Sequence, residues 1–164
     1  MDDTINHFRS HNMNQVEIKK LLHHRDPYLL VSNVVELDEK HIFAKADMKD
    51  HPLVAGHFPG APIVPGAMLQ EMSTQAAGIL ITKLHSPVEN YDSEKTQGYA
   101  LGVLREVFSA KYFGMTRPSS EIDIKVSLTE KKRTRFKFRS VISQEGEEKA
   151  IIEFELVNIP GNLL

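Results

Sequence analysis

The chain has 164 residues, 41% hydrophobic and 26% charged, with a net charge of −2. That is enough for one compact core spanning 1–164, and it lacks the positive excess that draws nucleic acid to a whole surface. Cysteine and tryptophan are absent, which excludes a disulfide framework and a thiolate metal site and fits a reducing cytoplasm.

Taken in chain order, residues 1–13 are polar and expected to be loosely held. The opening Met-Asp-Asp-Thr-Ile-Asn lacks the basic and apolar regions of a signal peptide, and no apolar run reaches the roughly 18 residues needed to cross a bilayer. A cytoplasmic protein is therefore expected. A short helix is predicted from Val16 to Leu22, capped by Asn14. Tyr28–Leu37 and His41–Met48 read as a strand pair joined by Asp38-Glu39-Lys40. A long helix runs from about Gly66 to Lys83, and a polar connection follows over 85–97, the segment expected to be most mobile. Strands are predicted at 98–110, 121–130, 133–143 and 148–158, with Glu145-Gly146 turning the last hairpin. One long helix inside a run of antiparallel strands is an α+β pattern.

The chemistry concentrates between Gly56 and Glu71, where the chain reads Gly-His-Phe-Pro-Gly-Ala-Pro-Ile-Val-Pro-Gly-Ala-Met-Leu-Gln-Glu. Pro59, Pro62 and Pro65 fix φ, remove three amide donors and keep their preceding residues out of the helical region, so His57 sits on stiff backbone and no helix starts in this stretch before Gly66. From Ala67 the helix is apolar on nearly every face, and Glu71 is its one acidic group before Lys83. A buried carboxyl resists ionisation, which suits a general acid. The unpartnered amides at Gly66 and after it carry the positive end of the helix dipole, and suit a carbonyl oxygen that gains charge. A base, an acid and such amides together point to proton transfer next to a carbonyl, as in removal of a proton α to a thioester.

Gly-His-Phe-Pro-Gly-x-Pro-Ile-x-Pro-Gly, followed by Glu71 and Gln75-Ala76-Ala77-Gly78, resembles the FabZ-type (3R)-hydroxyacyl-[acyl-carrier-protein] dehydratases. The likeness extends upstream through Ile18-Lys19-Lys20-Leu21-Leu22-His23-His24-Arg25-Asp26-Pro27-Tyr28 and downstream past Ala110-Lys111-Tyr112, from about residue 14 to 158. The resemblance implies the hot-dog fold, a long helix wrapped by an antiparallel sheet. It implies His57 as catalytic base, Glu71 as catalytic acid and no cofactor or metal. The product would be a trans-2-enoyl thioester of fatty acid biosynthesis. Glutamate rather than aspartate at 71 matches the branch that dehydrates without moving the double bond. It further implies an acyl carrier protein as partner, and a homodimer, sometimes three of them, in which Glu71 reaches the site from the other subunit. Phe58, Met68, Tyr112 and Phe113 are the candidates for the substrate tunnel, and Gln75, one turn after Glu71, for orienting it. Two departures stand out: the family often has Leu-Pro-His-Arg-Tyr-Pro where this chain has Leu22-His23-His24-Arg25-Asp26-Pro27, and Pro-Gly-Asp where it has Pro118-Ser119-Ser120.

The remaining candidates read more plainly. His7 and His11 have helical spacing but no nearby partner ligand, and His23 and His24 read as structural. Residues 131–139 hold six basic residues in nine. On a strand, Arg135, Lys137 and Arg139 share one face and Phe136 and Phe138 the other. A solvated outer face is the first reading, and docking of an acidic carrier the sharper one. Inward-pointing rings rank single-stranded nucleic acid last.

Overall fold

The computed structural model describes residues 12–96 and 99–160. The elements run α1 (Gln15–Leu21), β1 (Asn33–Leu37), β2 (His41–Ala46), α2 (Pro52–Ala55), α3 (Gly66–His85), β3 (Tyr99–Tyr112), β4 (Ile122–Lys132), β5 (Arg135–Gln144) and β6 (Glu147–Pro160). The six strands form one sheet in the order β1-β2-β4-β5-β6-β3, with every neighbouring pair antiparallel. It curls around α3, the wrapped-helix arrangement that the resemblance implies.

Local chemistry explains most boundaries. Asn14 caps α1 by accepting from the amides of Val16 and Glu17, and Glu17 returns a bond to the Asn14 amide. Asp38 closes the β1–β2 turn by accepting from the amides of Lys40 and His41. Glu145 and Gly146 both take positive φ, as a tight hairpin turn requires. Alternation then puts Phe136, Phe138, Ile152, Phe154 and Leu156 on the inner face, all buried against α3.

Three expectations change. The first strand begins at Asn33 rather than Tyr28, because the amides of Leu30 and Val31 bond to the side chain of Gln75 instead of to a neighbouring strand. Of the predicted loose tail, Met13 is held: it is buried and exchanges two backbone bonds with Val34, while residues 1–11, His7 and His11 included, lie outside the described residues. A four-residue helix, α2, precedes the proline loop. It starts with Pro52 in its first turn and is capped by His51, too short to show a period in the sequence.

The 85–97 connection, as far as it is described, is tied down. The Ser93 amide and hydroxyl donate to the carbonyls of Lys20 and Lys19 at the end of α1, and Arg25 bonds to Ser93 and pairs with Glu94. Among the described residues no helix is long and apolar enough to cross a membrane.

Candidate active site

His57 leaves α2 through a loop whose backbone fixes the ring. Its amide donates to the Val54 carbonyl, and the Ile63 amide donates to the His57 carbonyl at 2.7 Å. The ring Nδ1 lies 3.1 Å from the carbonyl oxygen of Ile63. A carbonyl only accepts, so Nδ1 carries the proton and Nε2 keeps its lone pair. Phe58 stacks on the ring at 4.3 Å between centroids and is itself exposed.

Pro65 caps α3 without a side-chain bond, and the amides of Gly66 and Ala67 have no acceptor among the described residues. The ring of Tyr112 lies over Gly66, so close that a Cβ there would meet it at 3.0 Å. Any larger residue at 66 would make the Tyr112 ring shift from its place over this helix start. Burial pushes the Tyr112 phenol pKa up.

Glu71 sits one turn further along. It is not the buried group expected: its side chain retains 22% of its exposure, because it faces a cavity while Leu69 and Met72 on either side of it pack into the core. Three side chains surround its carboxylate. Gln75 donates to Oε1 at 2.9 Å, His24 Nε2 stands 3.5 Å from Oε1, and the Thr74 hydroxyl, which donates to the Glu71 backbone carbonyl at 2.9 Å, lies 3.3 Å from Oε2. Gln75 is buried, and it also donates to the Tyr28 carbonyl and accepts from the Leu30 amide, so its amide is locked in one orientation. Burial pushes the His24 pKa down, with the Glu71 charge opposing and His23 and Arg25 assisting. The charge of Glu71 first, and burial second, push the Tyr28 phenol up.

The cavity beside Glu71 has a volume of about 470 Å³ and is walled by Leu22, His24, Tyr28, Leu101 and Leu104 among others. His57 is not among its lining residues, and neither are Phe58, Met68, Tyr112 and Phe113. Of these tunnel candidates, Met68 packs against the core, while Phe58, Tyr112 and Phe113 are exposed on the His57 and Gly66 side. One copy of the chain therefore holds His57 outside the cavity that Glu71 faces. His24 and Tyr28 were not singled out from the sequence as partners of Glu71. The signal was there in the His24-Arg25-Asp26-Pro27-Tyr28 segment, but its distance from Glu71 is a tertiary fact.

Arg135, Lys137 and Arg139 lie on the outer face of the sheet, and each is paired with a carboxylate: Arg135 with Glu155, Lys137 with Glu130 at 3.0 Å, and Arg139 with Glu153. Phe136 and Phe138 point into the core. Lys132 and Lys137 hold the Glu130 carboxyl low, at about 2.

A family model described as ApeI-like, ApeI dehydratase, matches residues 34–153. The FabZ 3-hydroxyacyl-[acyl-carrier-protein] dehydratase of Campylobacter curvus is 36% identical over 71% of this chain and 78% of its own. That of Anaeromyxobacter sp. strain K is 33% identical over 85% and 86%. Among solved structures, the dehydratase heterocomplex ApeI:P from Xenorhabdus doucetiae superposes with a TM-score of 0.70 at 18% identity, covering 87% of this chain and 90% of that one. A mutant thioesterase from Pseudomonas aeruginosa gives 0.58 at 15% identity, over 79% and 81%; both show the shared fold. With its wrapped helix, its Gly-His-Phe-Pro-Gly loop and these matches over most of its length, the chain belongs to the FabZ-type hot-dog dehydratases.

Proposed function

We propose that this protein dehydrates (3R)-3-hydroxyacyl thioesters of acyl carrier protein to trans-2-enoyl thioesters in fatty acid biosynthesis, with His57 as base and Glu71 as acid. The observation that carries the reading is the state of His57: Nδ1 is committed to the Ile63 carbonyl, so Nε2 is the lone pair available for a proton. The free amides at Gly66 and Ala67 suit the thioester oxygen, which gains charge as the α-proton leaves.

In the reaction Nε2 of His57 takes the α-proton, and the C–H electron pair becomes the Cα=Cβ bond. The Cβ–O bond breaks as the hydroxyl takes a proton from the carboxyl of Glu71 and departs as water. His57 then returns its proton through solvent, and Glu71 regains one. Gln75 aims the carboxyl, a role supported by its bond to Oε1.

Because Glu71 faces a cavity that His57 does not line, the reacting pair is assembled from two copies, the base of one meeting the acid of the other. Mixing a His57→Ala protein with a Glu71→Gln protein tests this. Each is inactive alone, and mixed dimers hold one intact site, so partial turnover returns on mixing. No recovery in mixed dimers shown to form would rule out a shared site. Following enoyl absorbance and free thiol together separates dehydration from a thioesterase of the same fold, which would release thiol. For the acidic carrier, the neutralising carboxylates around Arg135, Lys137 and Arg139 favour a structural outer face over a docking site. Reversing all three charges while assaying carrier-bound and free thioesters decides between them.

A further inference from the structure

Glu71, Thr74 and Gly78 line the acid's cavity from one face of α3, so it runs roughly 10 Å along the helix from Glu71. Past Gly78 the helix continues to Thr82 and Lys83, where two open clefts flank it, both lined by Leu21, Lys83, Asn90 and Tyr91. Leu21 and Tyr91 line all three hollows, and so form the partition between the cavity and the clefts.

The Tyr91 ring is 8% exposed, and burial raises its phenol pKa. Its hydroxyl pairs with Nε2 of His23, whose ring meets it edge-on at 6.0 Å. Two residues on, Ser93 ties the same segment to the end of α1. His23 stands where the resembled family often has proline, so in this chain that position braces the wall.

We propose that Tyr91, braced by His23, is the end wall of the acyl cavity and sets the longest 3-hydroxyacyl chain the enzyme accepts. The inference rests on the reading that the acyl chain lies beside Glu71. Up to the wall, each methylene buried against Leu22, Leu101 and Leu104 strengthens binding by about fourfold. A chain that reaches Tyr91 meets a held ring and gains nothing further.

The test compares 3-hydroxybutanoyl and 3-hydroxydecanoyl pantetheine thioesters on the wild type, Tyr91→Ala, Tyr91→Leu and Tyr91→Phe. Truncation opens the cavity into the clefts, so the long-to-short ratio of kcat/KM should rise by about tenfold in Tyr91→Ala and by less in Tyr91→Leu. Tyr91→Phe, which keeps the ring but loses the bond to His23, should raise the ratio less than Tyr91→Leu does. Tyr91→Leu supplies the answer should the alanine variant not fold. An unchanged ratio, or an equal loss on both substrates, in an active enzyme overturns this inference and leaves the proposed reaction standing. A wild type that dehydrates neither substrate overturns both.

Discussion

His57 and Glu71 are held in opposite ways, and the contrast fits the roles proposed for them. His57 rides on a loop of prolines and is gripped by backbone alone, with one ring nitrogen tied to Ile63 and the other left free. Glu71 rides on a helix and is gripped by side chains, with Gln75, Thr74 and His24 around its carboxylate. A base needs an unencumbered lone pair on rigid backbone, whereas a carboxyl that must deliver a proton to one oxygen needs aiming. The loop supplies the first condition and the buried amide of Gln75 the second.

The sharpest way to break this contrast is to remove the free lone pair. His57→Ala should lower turnover by about 10²–10⁴, with little change in the unfolding midpoint, since the ring makes one hydrogen bond from a half-exposed position. A folded variant with near-normal turnover would remove His57 from the mechanism.

Gln75→Leu attacks the other half. It strips a donor from Glu71 and leaves the Leu30 amide and the Tyr28 carbonyl without their partner, at a cost of about 1–3 kcal/mol for the buried Leu30 amide and less for the part-buried carbonyl. Chemical denaturation should show that loss, and kcat should fall more than KM rises. If stability falls while kcat holds, Gln75 is a structural tie only.

The same distinction between gripped and free charge extends to the outer face. Glu155 is buried and bonded by Arg105 at 2.8 Å, with Arg135 at 3.5 Å, whereas Glu153 is half-exposed and among the described residues pairs with Arg139 alone, at 4.0 Å. Arg105→Met should therefore cost about 1–3 kcal/mol, at the lower end because its guanidinium is partly solvated. Arg139→Met should cost about 0–1 kcal/mol. Equal unfolding midpoints for the two variants would show that Glu155 finds enough partners in Arg135 and water.

The smallest effect concerns acid. The pKa of His24 and of His85 lies below 6.5 in the folded chain, in both cases chiefly through burial. As pH falls through 6.5 the unfolded chain takes up these protons first, so stability is full above that value and declines below it. His24→Gln should flatten the decline between about pH 7 and about pH 5 by less than the whole, because His85 remains. Unfolding curves at successive pH values measure it, and an unchanged slope would show that His24 binds its proton equally in both states.

Much of this was legible in the residues themselves. The prolines of 59–65 dictate a stiff loop and a helix start at Gly66, and alternation places Phe136 and Phe138 inward with Arg135, Lys137 and Arg139 outward, because these are short-range steric and periodic effects. The Gly-His-Phe-Pro-Gly pattern pointed to the family on the same footing. What depended on the fold was long-range. Gln75 replaces a strand partner for Leu30 and Val31, His24 stands beside Glu71, and Tyr91 closes the cavity against His23, across separations of 44 to 68 residues. The separation of His57 from the cavity of Glu71 also belongs to this class. Fourteen positions apart in sequence, the two are parted because the loop turns His57 onto Ile63 while α3 turns Glu71 toward β3, a geometry set by packing against the sheet and not by local propensity.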